Sequence, residues 1–169
     1  NTPEQFAAQC HDAIKTQPGA PGRQQVARLL EGLLNDTAFV AKTFEGPIGE
    51  RTLLYEDAEL GFCILAHNYT DAKTSGAHDH AHSWAIYGQA QGETEMRDYD
   101  LIEAASADKP GKVRHTRTYT LSPGMAHVYN EGDLHSPKRE GPTRLIRIEG
   151  TDMSKVKRFQ YQQIGRAHV

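Results

Sequence analysis

The texture of the chain changes abruptly at Gly46-Pro47, and that change limits the folds open to it. Before it, apolar residues recur at helical spacing. "TPEQFAAQCHDAIK" opens with Thr2 placed as an N-cap, Pro3 at the first helical position and Gln5 three residues after Thr2, the pattern of a capping box. Gln17 to Gly22, "QPGAPG", reads as a break. Val26, Leu29, Leu30, Leu33, Phe39 and Val40 then continue the helical period, interrupted at Asn35-Asp36. After Gly46-Pro47 come short β-rich runs: "RTLLYED", "GFCILAHNY", "HSWAIYGQA", "ETEMRDYDLIEA", "VRHTRTYTLS", "AHVYN" and "TRLIRIEG". Turn signals separate them, among them "TDAKTSG", "SADKPGK", "SPGM" and "KREGP". Many short strands with Gly/Pro turns indicate an all-β sandwich or barrel. The expectation is one unit over 1–169: a helical N-terminal cap over 1–45 and a β-barrel over 46–169, without repeats or a linker.

Composition excludes several classes of function. The net charge is −3, so no basic field draws the chain to nucleic acid or anionic lipid. No apolar run is long enough to span a bilayer, and the first residues lack the apolar stretch of a secretion signal. The two cysteines, Cys10 and Cys63, form no CxxC, which argues against a disulfide framework and against a Cys-rich zinc module. These features point to a reducing, cytoplasmic setting.

The nine histidines are many for 169 residues, and they cluster. "GAHDHAHSWAIYG" places His78, His80 and His82 at alternate positions. Two histidines at i and i+2 project from the same face of a strand, so both imidazoles reach one ion. A third ligand from a distant strand completes a facial set with open positions. His135 in "NEGDLHSP" is the downstream candidate and His127 in "PGMAHVY" the alternative. Asp79, between two of the histidines, points to the opposite face of such a strand. His67 and His115 read as structural.

The Gly-containing turn, the HxH, the later glycine and the downstream "PG" followed by a histidine together resemble the cupin superfamily. In the usual cupin motif a Glu follows HxH after three or four residues, and a Gly follows the Glu after six. Counted from His80, Ala81 to Trp84 lead to Ala85 at the Glu position, and Gly92 lands in place. The count selects His78 and His80 and leaves His82 over. The carboxylate ligand is missing, and a three-His site resembles the thiol dioxygenases, the cysteine dioxygenase branch of the cupins. The resemblance covers roughly Arg51 to Gly150.

It implies a cupin double-stranded β-helix that binds one Fe(II) through His78, His80 and His135, with Zn, Ni or Mn as other candidate metals. It also implies a small anionic thiol-type substrate, with O2 as the second reactant. Arg51 matches the arginine that clamps the substrate carboxylate in that family. His82 and Tyr87 are further substrate-binding candidates, with Trp84 and Tyr129 as pocket walls. Where the family carries Ser-x-His-x-Tyr, this chain has Leu145, Arg147 and Glu149, so cysteine itself is not the expected substrate. Ala85 stands where some members carry the cysteine of a tyrosine crosslink. Arg147 and Glu149 share one face of their strand and are expected to face the pocket as catalytic groups. The alternatives are a diketone-type C–C cleaving dioxygenase, a Zn or Ni hydrolase or lyase, or a cupin that only binds a small ligand. A monomer and a homodimer are both open.

Overall fold

The computed structural model describes residues 1–165 and begins with three helices, α1 (Pro3–Thr16), α2 (Ala20–Leu34) and α3 (Thr37–Thr43). The capping box forms: Thr2 Oγ1 accepts from the Gln5 N–H at 3.1 Å, and Gln5 Oε1 accepts from the Thr2 N–H at 2.9 Å. The break between α1 and α2 is shorter than the "QPGAPG" composition suggests. Pro21 sits in the first turn of α2, where its missing N–H would have had no partner in any case. Asp36 ends the second helical stretch by capping a new helix, its carboxylate accepting from the Phe39 N–H at 3.1 Å. No helix among the described residues is long and apolar enough to cross a membrane.

Ten strands follow among the described residues: β1 (Thr52–Glu56), β2 (Cys63–Tyr69), β3 (Lys73–Thr74), β4 (Ala85–Gln91), β5 (Thr94–Glu103), β6 (Gly111–Leu121), β7 (Ala126–Tyr129), β8 (Leu134–Arg139), β9 (Thr143–Glu149) and β10 (Tyr161–Gln163). They form two five-stranded sheets, ordered β1-β2-β9-β4-β7 and β10-β6-β5-β8-β3. Every pairing is antiparallel except β10 with β6. The β-rich runs read from the sequence map onto seven of these strands. The two-residue β3 and three-residue β10 are too short to leave a periodic signal.

The sheet β1-β2-β9-β4-β7 has two unlike faces, because side chains alternate along each strand. On β4 and β9, Ile86, Ile146 and Ile148 turn outward and pack with Ile64 and Ala66 of β2 against Val26 and Leu30 of α2. Gly88 allows this approach, since a Cβ there would lie 2.5 Å from Leu30 Cδ2. The inward residues Ala85, Tyr87 and Tyr129 meet Met96 and Leu121 of the other sheet. The main apolar core therefore lies between helices and sheet, and the space between the sheets is left largely to polar groups.

Gly92 closes the β4–β5 turn at φ +71°, and a Cβ there would lie 2.4 Å from the Pro142 carbonyl oxygen. Left-handed backbone and steric contact both oppose a side chain. Gly92→Ala is expected to lower stability by about 1–3 kcal/mol, measured by urea unfolding. An unchanged midpoint would show that this turn can remodel freely.

Candidate metal centre

His78, His80 and His135 converge, with one ring nitrogen from each lying within 4.8 Å of the others. The i, i+2 strand argument does not account for it. The stretch from Ser75 to Trp84 forms no strand and pairs only at His78, in an isolated bridge to His135. There His78 and His135 exchange both backbone hydrogen bonds, each 2.9 Å, and their ring centroids lie 4.5 Å apart. His80 follows in a turn closed by the Ser83 N–H donating to the His80 carbonyl at 2.8 Å. Its ring stacks on that of His135 with centroids 5.0 Å apart.

Hydrogen bonds fix the tautomers of two of the three rings. His78 Nδ1 lies 2.9 Å from the Gly76 carbonyl oxygen, and His135 Nδ1 lies 3.1 Å from that of Asp133. A carbonyl can only accept, so both Nδ1 atoms carry the proton and both Nε2 lone pairs are free to ligate. The Tyr87 hydroxyl lies 3.4 Å from His80 Nε2 and 3.3 Å from His135 Nε2. Burial holds all three rings neutral. It takes the pKa of His78 down to about 4 and that of His80 down to about 2, helped in both by the Arg147 charge. His135 is pushed well below its usual range by burial and by its two histidine neighbours. Three neutral imidazoles facing one point are a fit donor set for Fe(II), Zn(II) or Ni(II) once the rings close slightly.

The other candidates from the sequence fare differently. His82 does not join the group: the chain reverses at Ala81, which has φ 53°, and His82 ends exposed. Asp79 points away, as expected. Its carboxylate accepts from the Ala81 N–H and from the Tyr161 hydroxyl, each at 3.0 Å. His127 lies outside the three-His group, packed between the rings of Tyr119 and Tyr129. His67 is buried, with its Nδ1 2.6 Å from the Glu50 carbonyl oxygen.

Arg51 is not free to clamp a substrate, because its Nη2 is held at 2.9 Å by both Glu149 and Asp152. Glu149 is 1% exposed, and it does not line the cavity beside His78. Its carboxylate is occupied by Arg51, by the Met153 N–H at 3.3 Å and by Arg147 at 3.6 Å. Glu149 is thus a positioning residue for two arginines rather than a free acid or base. The segment after β9 decides this, because it brings Asp152 and Met153 back onto the strand end. Arg147 does face the cavity, with its guanidinium 4.2 Å above the Tyr87 ring.

That cavity, about 540 Å³, opens beside His78. Its walls include Tyr69, Arg139, Arg147, Arg158 and Tyr161. The sequence reading missed Arg139. It lies four residues after His135 on β8, so strand alternation alone could have placed the two side chains on one face.

No protein-family model and no curated protein matches the chain. Similar solved structures include the cupin domain of Schizosaccharomyces pombe Cnp3, at 14% identity and TM-score 0.44 over 62% of this chain and 66% of that one. KdgF from Halomonas sp. is similar at 17% identity and TM-score 0.43, over 59% and 74%. A Klebsiella pneumoniae protein with a double-stranded β-helix domain is similar at 13% identity and TM-score 0.45, over 69% and 87%. The two facing five-stranded sheets and the N-terminal helices of this chain match the architecture expected from the sequence. At such identities the similarity concerns the path of the chain and not its chemistry.

Two outcomes follow from the centre. His78→Ala, His80→Ala and His135→Ala are each expected to lose stoichiometric metal by mass spectrometry of the purified protein, while His82→Ala and His127→Ala retain it. Full occupancy in His135→Ala would overturn the ligand set. The second outcome is acid sensitivity of the metal-free protein. His67, His78, His80 and His135 are depressed by burial, so below about pH 6.5 the unfolded chain takes up protons that the folded chain refuses. Stability is complete above that pH and falls as pH drops toward 4, by up to about 1.4 kcal/mol per pH unit for each histidine. Urea unfolding at pH 7.5 and 5.5 should show the loss, and His67→Gln should reduce it. Equal midpoints would rule out buried neutral histidines.

Proposed function

We propose that this chain is a metal-dependent cupin enzyme of the thiol dioxygenase type. In this reading His78, His80 and His135 hold one Fe(II), and a small anionic thiol-type molecule other than cysteine is oxidised with O2. The observation that carries the reading is a set of three neutral imidazoles, without a carboxylate, beside a cavity walled by arginines. With no ligand charge to offset the 2+ of the ion, an anionic donor from the substrate is favoured. Iron bound there would supply activation of oxygen and a lowered pKa for a coordinated thiol.

The residues around the ion supply orientation. The Gly76 and Asp133 carbonyls hold two imidazoles in the ligating tautomer. Tyr87, fully buried, keeps its hydroxyl beside two of the ligands, where it is placed to donate to a bound anion. Arg147, stacked on Tyr87, adds positive potential on the same side. Leu145, Arg147 and Glu149 stand where the cysteine-oxidising members of that family carry Ser-x-His-x-Tyr, so free cysteine is the poorer candidate.

Metal analysis combined with oxygen uptake tests the proposal. The expected result is iron near one per chain and oxygen consumption with mercaptocarboxylates that lack an amine, with cysteine much slower. Tyr87→Phe should keep the metal and slow turnover. A protein that holds only zinc or nickel and consumes no oxygen with any thiol would overturn the reading in favour of a hydrolase, lyase or binding protein. Oxygen uptake with a diketone but no thiol would move it to C–C cleavage.

A further inference from the structure

Arg139 ends β8 on the face it shares with His135 and Pro137. Its side chain is 2% exposed. Neither Nε nor Nη2 has a hydrogen-bond partner, and no carboxylate among the described residues forms an ion pair with it. Its guanidinium carbon lies 4.7 Å from the centroid of the Tyr69 ring. Arg147 is little better supplied. Its Nε is buried and unpartnered, and its Nη1 lies 3.6 Å from a Glu149 carboxylate that Arg51 already holds at 2.9 Å. Both arginines line the cavity that also exposes His78, and Arg158 lies at its rim.

Charge counting sharpens the point. Arg51, Arg139 and Arg147 carry three positive charges against the two of Glu149 and Asp152. Asp152 and most of Glu149 are directed at Arg51, so the deficit falls on Arg139 and Arg147. A buried, unpaired guanidinium is expensive to maintain in a folded protein. Its donors have a fixed forked geometry that matches carboxylate and phosphate oxygens, which would satisfy both the charge and the orphaned N–H groups.

We propose that Arg139 and Arg147 form an oxyanion subsite, which takes a carboxylate or phosphoryl group of the substrate while the rest of the molecule extends toward His78. The extension toward a metal rests on the function proposed above; the anion subsite itself does not. It assigns the recognition role to β8 and β9 in place of Arg51. It also selects substrates with an anionic group separate from the one that meets the ion.

The test uses the metal-free 169-residue chain and isothermal titration with malonate and, separately, inorganic phosphate. The wild-type protein is expected to bind at least one of them saturably. Arg139→Met and Arg147→Met are expected to weaken that binding by about tenfold or more, as loss of a buried charge-assisted contact does. The distal Arg97→Ala should bind as wild type. Binding is measured without metal, so a failed metal assignment leaves this result standing. Preference for malonate identifies a carboxylate and preference for phosphate a phosphoryl group; equal binding of both supports the subsite as well. If either methionine variant fails to fold by circular dichroism, the Nε–Hε signals of the wild-type arginines in nuclear magnetic resonance replace it. Two buried signals should then shift together on adding malonate or phosphate. No saturable binding of either anion by the wild type, or wild-type affinity in folded Arg139→Met and Arg147→Met, would overturn the proposal.

Discussion

The helices supply the core that a barrel would otherwise have to fill from within. Strands β4 and β9 carry isoleucines on one side and Tyr87, Arg147 and Glu149 on the other, and only the first side meets α2. Burying Leu30 and Ile86 at that contact contributes about 1.5–3 kcal/mol for each side chain. With stability drawn from outside the sandwich, the inner faces can hold imidazoles, phenols and guanidinium groups. Loss of the α2 contact would therefore unsettle the polar interior without touching any of its residues.

The interior is organised around positive charge. Arg51, Glu149, Asp152 and Arg147 form one connected array, with Glu149 between two arginines. Tyr87 links this array to the histidines: Arg147 lies above its ring, and its hydroxyl reaches His80 and His135. The same arginine helps to keep the histidines neutral, since a nearby cation opposes protonation. Neutral rings are what metal ligation needs. Glu149 acts at one remove, by fixing where the Arg147 charge sits.

The three histidines come together by a route other than the strand alternation read from the sequence. Motif spacing selected His78 and His80 over His82, and the structure groups the same pair with His135. Strand alternation would have put His82 on the ligand face as well. What removes it is the turn at Ala81, where a non-glycine residue adopts φ 53°. The signal for such a turn is slight: Asp79 accepts from the Ala81 N–H, but no glycine or asparagine stands at the left-handed position. Arg51 shows the opposite case. The family pattern identified its position, but its partner Asp152 lies 101 residues away on a segment that the strand pattern did not describe.

The amino-acid sequence alone determined the helical cap and most of the strands, and counting along the motif singled out the three histidines that the fold brings together. Periodicity, caps and turn residues act over a few neighbours, and motif spacing counts along the chain. Only the tertiary structure decided which charges are paired and which are left unsatisfied. Arg139 and Arg51 are alike as letters in a β-rich stretch. One ends between two carboxylates and the other buried with free donors, because the sheet order sets β8 and β9 in facing sheets and the chain after β9 returns past Arg51. Ion pairing depends on distances across the fold, and a residue's own neighbours in sequence carry no record of them.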